Sequence, residues 1–257
     1  RSFKERPVTI RTLDIGGDKF LPLQESLPSM EANPFLGLRS IRISLNHPSS
    51  FRVQIRALLR ASVSGRLSIL IPMISSYEEM ERVRILFDEE KEKLKRENIP
   101  FDDSIKIGTM IEIPSAAISA ENLIELCDFF SLGTNDLVQY TLAVDRTNER
   151  VASYYIPENP AVLRLIEITA EIAIRHGKYC AVCGELAGNP LFTPFFAGTG
   201  ISELSMEAKF IPLIKRTIRS FSITEAKNLV EEIQGFKKVK DIKDCLTSFY
   251  KTHLPAS

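Results

Sequence analysis

The sequence contains no tryptophan, and it has three histidines and four cysteines in 257 residues. So few cysteines, at spacings unlike a disulfide framework, exclude a small disulfide-rich secreted protein. They predict that this protein resides in the reducing cytoplasm. There is no excess of charge of either sign, since 33 Lys and Arg balance 33 Asp and Glu, which argues against a nucleic-acid or membrane-surface module. No apolar run approaches the roughly 18 residues that span a bilayer, so we expect no membrane insertion.

The sequence also lacks an initiating methionine, a signal peptide, internal repeats and any linker that would divide it. Because it starts at Arg1, we expect it to be cut from a longer protein. Its 44% hydrophobic content is enough for one large domain with a substantial core, which we place over residues 1–257.

Six short apolar runs rich in β-branched residues alternate with helical patterns, which predicts a buried parallel sheet. The predicted strands are Val8–Ile15, Leu67–Ile71, Ile105–Ile111, Asp128–Leu132, Tyr179–Cys183 and Ile201–Ser205. Repeated strand–helix units favour an α/β fold of the TIM-type (β/α)8 barrel. A closed barrel needs eight strands, so we expect two to precede Arg1.

Helices are predicted where apolar residues recur at helical spacing, with a loop over Leu21–Pro34. They are Arg52–Ser64, Tyr77–Asn98, Ala116–Cys127, Pro160–Gly177, Pro190–Ala197, Ile211–Phe221, Thr224–Gln234 and Val239–His253. The charge-rich run Glu78–Glu97 is interpreted as a solvated helix face with i,i+4 ion pairs rather than as a binding surface.

The most informative stretch is Phe129–Arg146, FFSLGTNDLVQYTLAVDR. An apolar strand is followed by a Gly-Thr turn, by Asn135 and Asp136, by a helix-like run and then by Arg146. Parallel α/β folds bind ligands at the carboxyl ends of their strands, and the free N–H groups of a helix start favour anions. The pattern therefore predicts an anion site with a carboxylate beside it.

Polar groups follow the other strands too. Arg11 precedes a Gly-Gly-Asp-Lys turn ending at Lys19, Arg39 follows a turn-rich segment, and Glu112 and Cys183 each end a strand. Arginine suits phosphate and carboxylate, and Mg²⁺ is held by one or two carboxylates plus substrate oxygens. The set predicts a small, highly anionic, phosphorylated metabolite bound with Mg²⁺.

Other interpretations remain open at this point. Any single arginine could form a structural ion pair, and Glu112 could be an acid at a helix start. Cys180 and Cys183 form a C-x-x-C pair, but no second pair exists and the histidines are not at ligand spacing, so a zinc site is not favoured. On a strand, their odd spacing points one to the core and the other to the opposite face. Cys183 could therefore be a ligand-facing thiol or a packing residue.

Five motifs in order resemble the phosphoenolpyruvate-binding domain of Enzyme I of the bacterial phosphotransferase system. They are IRTLDIGGDKFLP, NPFLGLRSIRI, the I-G-x-M-I-E-x-P pattern over Ile107–Pro114, FFSLGTNDLVQYTLAVDR and CGELAG. The resemblance covers essentially the whole chain. It implies a Mg²⁺-dependent phosphotransferase that passes phosphoryl from phosphoenolpyruvate to a histidine of a separate domain and on to HPr for sugar uptake, releasing pyruvate. It also implies a homodimer.

The resemblance assigns roles to the residues that match the family's motifs. The substrate-binding positions are Arg11, Arg39, Asn135, Asp136 and Arg146. The Mg²⁺ ligands are Glu112 and Asp136, and the acid/base that exchanges a proton with C3 of the enolate is Cys183. The family's phosphohistidine domain, and a strand ending in an R-T-E-F-L-type motif, have no counterpart in this sequence.

Two other functions are weighed. A pyruvate phosphate dikinase or phosphoenolpyruvate synthase relative would share the barrel and its anion site, although the IGGDK and SLGTNDLxQYTLAVDR forms resemble Enzyme I more. A non-catalytic fragment that only binds or dimerises is the third possibility.

Overall fold

A computed structural model describes residues 6–16 and 33–254. The chain divides into two compact units, one of Arg1–Met110 with Glu125–Asp128 and the other of Ile111–Ile124 with Phe129–Ser257. Lys19 and nearly all of the loop predicted for Leu21–Pro34 lie outside the described residues. The last residue of that loop, Pro34, begins a short 3-10 helix, Pro34–Leu36.

The first unit alternates strands with helices in chain order. Its elements are β1 (Val8–Arg11), α1 (Ile41–Asn46), α2 (Pro48–Ala61), β2 (Leu67–Ile71), α3 (Tyr77–Arg96) and β3 (Lys106–Ile111), whose last residue belongs to the second unit. β1 lies parallel to β2, with Val8 opposite Leu67, and β2 lies parallel to β3, with Ser68 opposite Lys106.

Helices α2 and α3 pack against each other and contribute buried apolar side chains to the core of this unit. Phe51 of α2 meets Phe87 of α3 edge to face, with ring centroids 6.5 Å apart. The Ser76 side chain caps α3, which has acidic residues in its first turn and basic ones in its last. The interpretation of Glu78–Glu97 as a solvated face is wrong for Glu90, which is buried and paired with Arg52 of α2 at 3.0 Å.

The second unit repeats the strand–helix alternation. Its elements are α4 (Pro114–Ile118), α5 (Ala120–Leu123), β4 (Phe129–Gly133), α6 (Thr134–Leu142), α7 (Pro160–Arg175), β5 (Tyr179–Cys183), α8 (Thr193–Gly198), β6 (Glu203–Ser205), α9 (Ile211–Ile218), α10 (Ile223–Gln234) and α11 (Val239–His253). β4 pairs in parallel with β5, placing Gly133 opposite Cys183, and β5 pairs in parallel with β6.

Aromatic side chains fill the interior of the second unit. Phe129, Phe130, Phe192, Phe195 and Phe196 are all fully buried. The Phe129 ring stacks on that of Tyr179 with centroids 4.8 Å apart, which ties β4 to β5. The pairing places the ends of β4 and β5 side by side.

The predicted α/β class and the six strands are confirmed. Within each unit, the paired strands follow chain order, as in a (β/α) barrel, whereas doubly wound sheets reverse that order. The first strand is shorter than predicted. It ends at Arg11, and Thr12 adds one ladder bond to Leu70 before the chain turns toward Gly16, whose φ is +107°.

Several predicted helices differ from those in the structure. The helix predicted over Arg52–Ser64 begins earlier, at Pro48, and ends at Ala61. The helix predicted over Ala116–Cys127 is instead α4, α5 and a 3-10 turn, Ile124–Leu126, because the chain bends at Ser119, whose ψ is 15°. The helix predicted from Pro190 begins at Thr193, after a turn in which the Asn189 side chain accepts from the backbone N–H of Leu191. The prediction of Val239–His253 is confirmed.

Candidate active site

Two arginines of the first unit share one carboxylate. Asp14 Oδ2 lies 3.3 Å from Arg11 Nη1, and Asp14 Oδ1 accepts a hydrogen bond from Arg39 Nη2, also at 3.3 Å. The Asp14 and Arg39 side chains are 6% and 7% exposed, whereas that of Arg11 is 43% exposed. Asp14 therefore holds a buried and a half-exposed arginine side chain side by side, and guanidinium groups suit an anionic ligand.

A glycine allows this arginine pair to form. A Cβ atom on Gly16 would lie 2.5 Å from the Cβ of Arg39, and φ of +107° at Gly16 disfavours any other residue. The Ser40 N–H donates to the Ile15 carbonyl at 2.8 Å, which joins the two segments. The group that lies closest to Gly16 is thus Arg39 of the same chain, which gives this glycine a structural role.

In the second unit, the turn from β4 into α6 presents the carboxylate and the arginine predicted there. Asp136 is 7% exposed in the first turn of α6, where the helix N–H groups favour a negative charge. Arg146 Nη2 lies 3.9 Å from Asp136 Oδ1. The structure therefore brings together two residues that are ten positions apart, and the Arg146 side chain remains one-third exposed.

Asn135 binds the segment that follows β5. Its Oδ1 accepts from the backbone N–H of Glu185 at 3.0 Å, and its Nδ2 donates to Glu185 Oε1 at 3.4 Å. The neighbouring Thr134 hydroxyl donates to the Cys183 carbonyl at 2.8 Å. These three hydrogen bonds fix the start of α6 against the segment that carries the predicted acid/base.

Gly184 is the residue around which these contacts close. Its φ is +99°, and a Cβ there would lie 2.7 Å from Thr134 Oγ1 and 2.8 Å from Asn135 Oδ1. The glycine of the C-G-E-L-A-G motif is therefore required for backbone conformation and for space.

The two cysteines of the C-x-x-C pair differ as their spacing predicted. Cys180 is 1% exposed, and burial raises the pKa of its thiol to about 12. Cys183 is half-buried, and its Sγ donates to the Leu132 carbonyl of β4 at 3.4 Å. Cys183 is thus the cysteine of the pair that combines access with a defined position at a strand end.

Glu112 directly follows β3 and is 2% exposed. Within residues 6–16 and 33–254, no group of three or more His, Cys, Asp and Glu side chains is arranged to hold a metal ion. A Mg²⁺ site needs only one or two carboxylates. The pairing of Glu112 with Asp136 around a metal stays a prediction.

Sequence reasoning missed several residues that contact the predicted ones. They are Asp14, Thr134, Gln139, Tyr155 and Glu185. The Tyr155 hydroxyl donates to the Asn135 carbonyl at 3.3 Å, and burial, followed by nearby Glu185, raises its pKa to about 12, so the phenol stays neutral. Asp14 and Glu185 lie inside recognised motifs, so the signal was present, but no spacing rule indicates which neighbour they bind.

Residues 1–223 match the model of a protein family described as "PEP-utilising enzyme, PEP-binding domain". The chain belongs to this family. The match includes every predicted site residue, so the Arg11–Arg39 pair and the Asn135–Cys183 region are parts of a PEP-binding domain.

Curated relatives of this PEP-binding domain share a name. Proteins named phosphoenolpyruvate-protein phosphotransferase are 48% identical over 249 residues in Buchnera aphidicola subsp. Acyrthosiphon pisum and 46% identical over 237 residues in Bacillus subtilis. These alignments cover 96% and 92% of this chain but 43% and 41% of the relatives. The chain thus spans about two-fifths of the length of these relatives.

Among solved structures, a citrate lyase from Burkholderia xenovorans LB400 is similar, with a TM-score of 0.51 and 14% identity. The likeness covers 79% of this chain and 69% of that one. It supports the fold alone.

Proposed function

We propose that this chain is the phosphoenolpyruvate-binding, catalytic domain of a protein-histidine phosphotransferase. The observation that carries the proposal is the fixed arrangement of Asn135, Asp136 and Arg146 at the end of β4 and Cys183 at the end of β5, within a chain of the PEP-binding family. In the cytoplasm, the phosphoryl group passes from phosphoenolpyruvate to a histidine of a separate domain, and pyruvate is released. The histidine then passes the phosphoryl group to HPr, which serves sugar uptake.

The arginines are the groups proposed to hold the two anionic ends of the substrate. Arg11 and Arg39 are oriented together by Asp14, and Arg146 is oriented toward Asp136. Guanidinium groups bind phosphate and carboxylate oxygens through paired N–H donors, and fixed positive charge stabilises the loose transition state of phosphoryl transfer. Each arginine therefore binds substrate and stabilises the departing phosphoryl group.

The carboxylates fit the divalent ion that the family resemblance implies. Glu112 and Asp136 are 2% and 7% exposed, and carboxylate oxygens are the ligands that Mg²⁺ takes from proteins. They are the residues that would hold Mg²⁺, which would supply positive charge to offset that of the substrate. Asn135 directly precedes Asp136 in the sequence.

Cys183 is proposed to give its thiol proton to C3 of the enolate. Cys183 Sγ lies 3.4 Å from the Leu132 carbonyl, an acceptor that suits a protonated thiol. As the proton leaves sulfur for C3, the enolate C2–C3 double bond becomes the methyl ketone of pyruvate, and a thiolate remains. The thiolate regains a proton from solvent before the next turnover.

The test uses the complete gene product that contains this chain, since turnover needs a histidine domain. Phosphoenolpyruvate and Mg²⁺ should yield pyruvate together with phosphohistidine, and chelation of Mg²⁺ should abolish both products. Phosphoenolpyruvate formation from pyruvate and ATP would instead identify a dikinase or synthase. Calorimetry should show binding of phosphoenolpyruvate with Mg²⁺, and binding without any pyruvate formation would indicate a non-catalytic module. Sedimentation tests the expected homodimer.

A further inference from the structure

Gln139 stands out among the buried polar side chains of the second unit. It lies on α6, one turn after Asp136, and is 3% exposed. Its Oε1 accepts from the backbone N–H of Arg146 at 3.1 Å. Its Nε2 is buried and has no acceptor among the residues that the structure describes. A buried donor without an acceptor lowers the stability of the folded protein, so a carboxamide is expected at this position only if it has a role.

The orientation of the carboxamide follows from its partner. An N–H group can donate only to an acceptor, so Oε1 faces Arg146 and Nε2 faces away from it. The Gln139 main chain acts on the same segment, because its carbonyl accepts from the Val144 N–H at 3.0 Å. Ala143 between them adopts a left-handed conformation, with φ of 54°, that turns the chain out of α6. One residue thus holds the turn at two points.

We propose that Gln139 is a positioning residue that sets Arg146 for substrate binding. Asp136 and Gln139 are three positions apart and therefore lie on the same side of α6. Gln139 fixes the backbone of Arg146, and Asp136 lies 3.9 Å from its guanidinium. The turn after α6 is thereby held so that the Arg146 side chain extends back along the helix that carries Asp136. With Oε1 placed to accept from the Arg146 N–H, the Gln139 Nε2 is left without an acceptor among the described residues.

This inference rests on the proposed function, and it predicts how the parts are coupled. Gln139→Met keeps the length of the side chain and removes the acceptor. Arg146 is proposed to bind the substrate and the transition state about equally. Loss of the one hydrogen bond that positions it should therefore raise KM for phosphoenolpyruvate about 3- to 10-fold and change kcat by less than about 2-fold.

Thr141→Val is the matched control. Thr141 is on the same helix, and its buried Oγ1 likewise has no partner in the described part of the chain. This change also removes a buried polar atom, but it does not affect a contact to Arg146. KM should stay within about 2-fold of the unchanged protein.

The experiment is a double-mutant cycle in the complete gene product, with pyruvate formation as the readout. In an Arg146→Ala background, Gln139→Met should raise KM by less than about 2-fold, since the group that it positions is gone. An equal rise of KM in both backgrounds, or the same rise for Thr141→Val, would overturn the inference.

Amide hydrogen exchange measures the contact independently of turnover. The Arg146 amide should exchange at least about 5-fold faster in Gln139→Met and unchanged in Thr141→Val. Unchanged exchange in Gln139→Met contradicts the proposed contact. If the unsubstituted protein forms no pyruvate from phosphoenolpyruvate, the proposed function itself fails, and the inference about substrate binding fails with it.

Discussion

Asn135 and Glu185 bind each other twice across 50 residues of sequence. Asn135 Oδ1 accepts the Glu185 N–H at 3.0 Å, and Asn135 Nδ2 donates to Glu185 Oε1 at 3.4 Å. The carboxamide that sequence reasoning assigned to the substrate is therefore also a structural connection between the ends of β4 and β5. It fixes where Cys183 stands relative to the start of α6.

Gly184→Ala tests this connection. The new Cβ would lie 2.7 Å from Thr134 Oγ1, at a φ of +99°. We expect the free energy of unfolding to fall by about 2–4 kcal/mol and pyruvate formation to fall with it. The control is Gly177→Ala, where φ is also positive, at +66°, but nothing lies within 4 Å. That change should lower the free energy of unfolding by about 1 kcal/mol and leave kcat unchanged. Urea unfolding and initial rates measure both, and equal losses would argue against the packing explanation.

Asp14→Asn tests the shared carboxylate of the arginine pair. The neutral amide can still accept a hydrogen bond, but it no longer offsets the charge of Arg39, whose side chain is 7% exposed. We expect a loss of about 1–3 kcal/mol of stability and a KM for phosphoenolpyruvate raised about 3- to 10-fold. Asp244→Asn breaks the exposed Lys240–Asp244 pair and should change stability by less than about 1 kcal/mol. An unchanged KM in Asp14→Asn would show that Asp14 does not orient the arginines for substrate.

Cys183→Ala should slow turnover far more than binding. Loss of the proton donor is expected to lower kcat for pyruvate formation about 100-fold or more, with KM changed less than about 3-fold. Cys180→Ala is the matched control, since Cys180 is on the same strand but 1% exposed. It should reduce stability by about 1–2 kcal/mol and leave kcat within about 2-fold. Full activity of Cys183→Ala would refute its assignment as the acid/base.

The capping box of α10 predicts a specific response to acid. The Ser222 backbone N–H, then the Ser222 hydroxyl and His253, lower the pKa of Glu225 to about 2 from its ordinary 4.5. A lowered folded-state pKa stabilises the fold above pH 4.5, and this stabilisation is lost as the pH falls through about 2. Glu225→Gln should therefore weaken the dependence of stability on pH between about 4.5 and 2. Unfolding midpoints at several pH values measure it, and an unchanged slope would count against the capping box.

Much of the fold could be predicted because strands and helices leave periodic signals. Four of the six strands both start and end within one residue of the predicted bounds, and the bounds of α11 were predicted correctly. The errors fall where side-chain contacts override periodicity. Arg11 ends β1 early because the chain turns so that Asp14 reaches both arginines. Glu90 is buried within a helix that reads as solvated, because Arg52 of α2 supplies its partner.

The fold class, the order of the strands and the candidate residues at their ends could be predicted from the amino-acid sequence, because they depend on local pattern and on motifs. The tertiary structure decided which of those residues touch. No spacing rule predicts which residues pair. Asp14 contacts both Arg11 and Arg39, Gln139 accepts a hydrogen bond from the Arg146 backbone, and Asn135 accepts one from the Glu185 backbone. These contacts form because strand pairing and the left-handed turn at Ala143 bring separate segments of the chain together. The side chains at the turn from β4 into α6 are therefore positioned by residues from other segments.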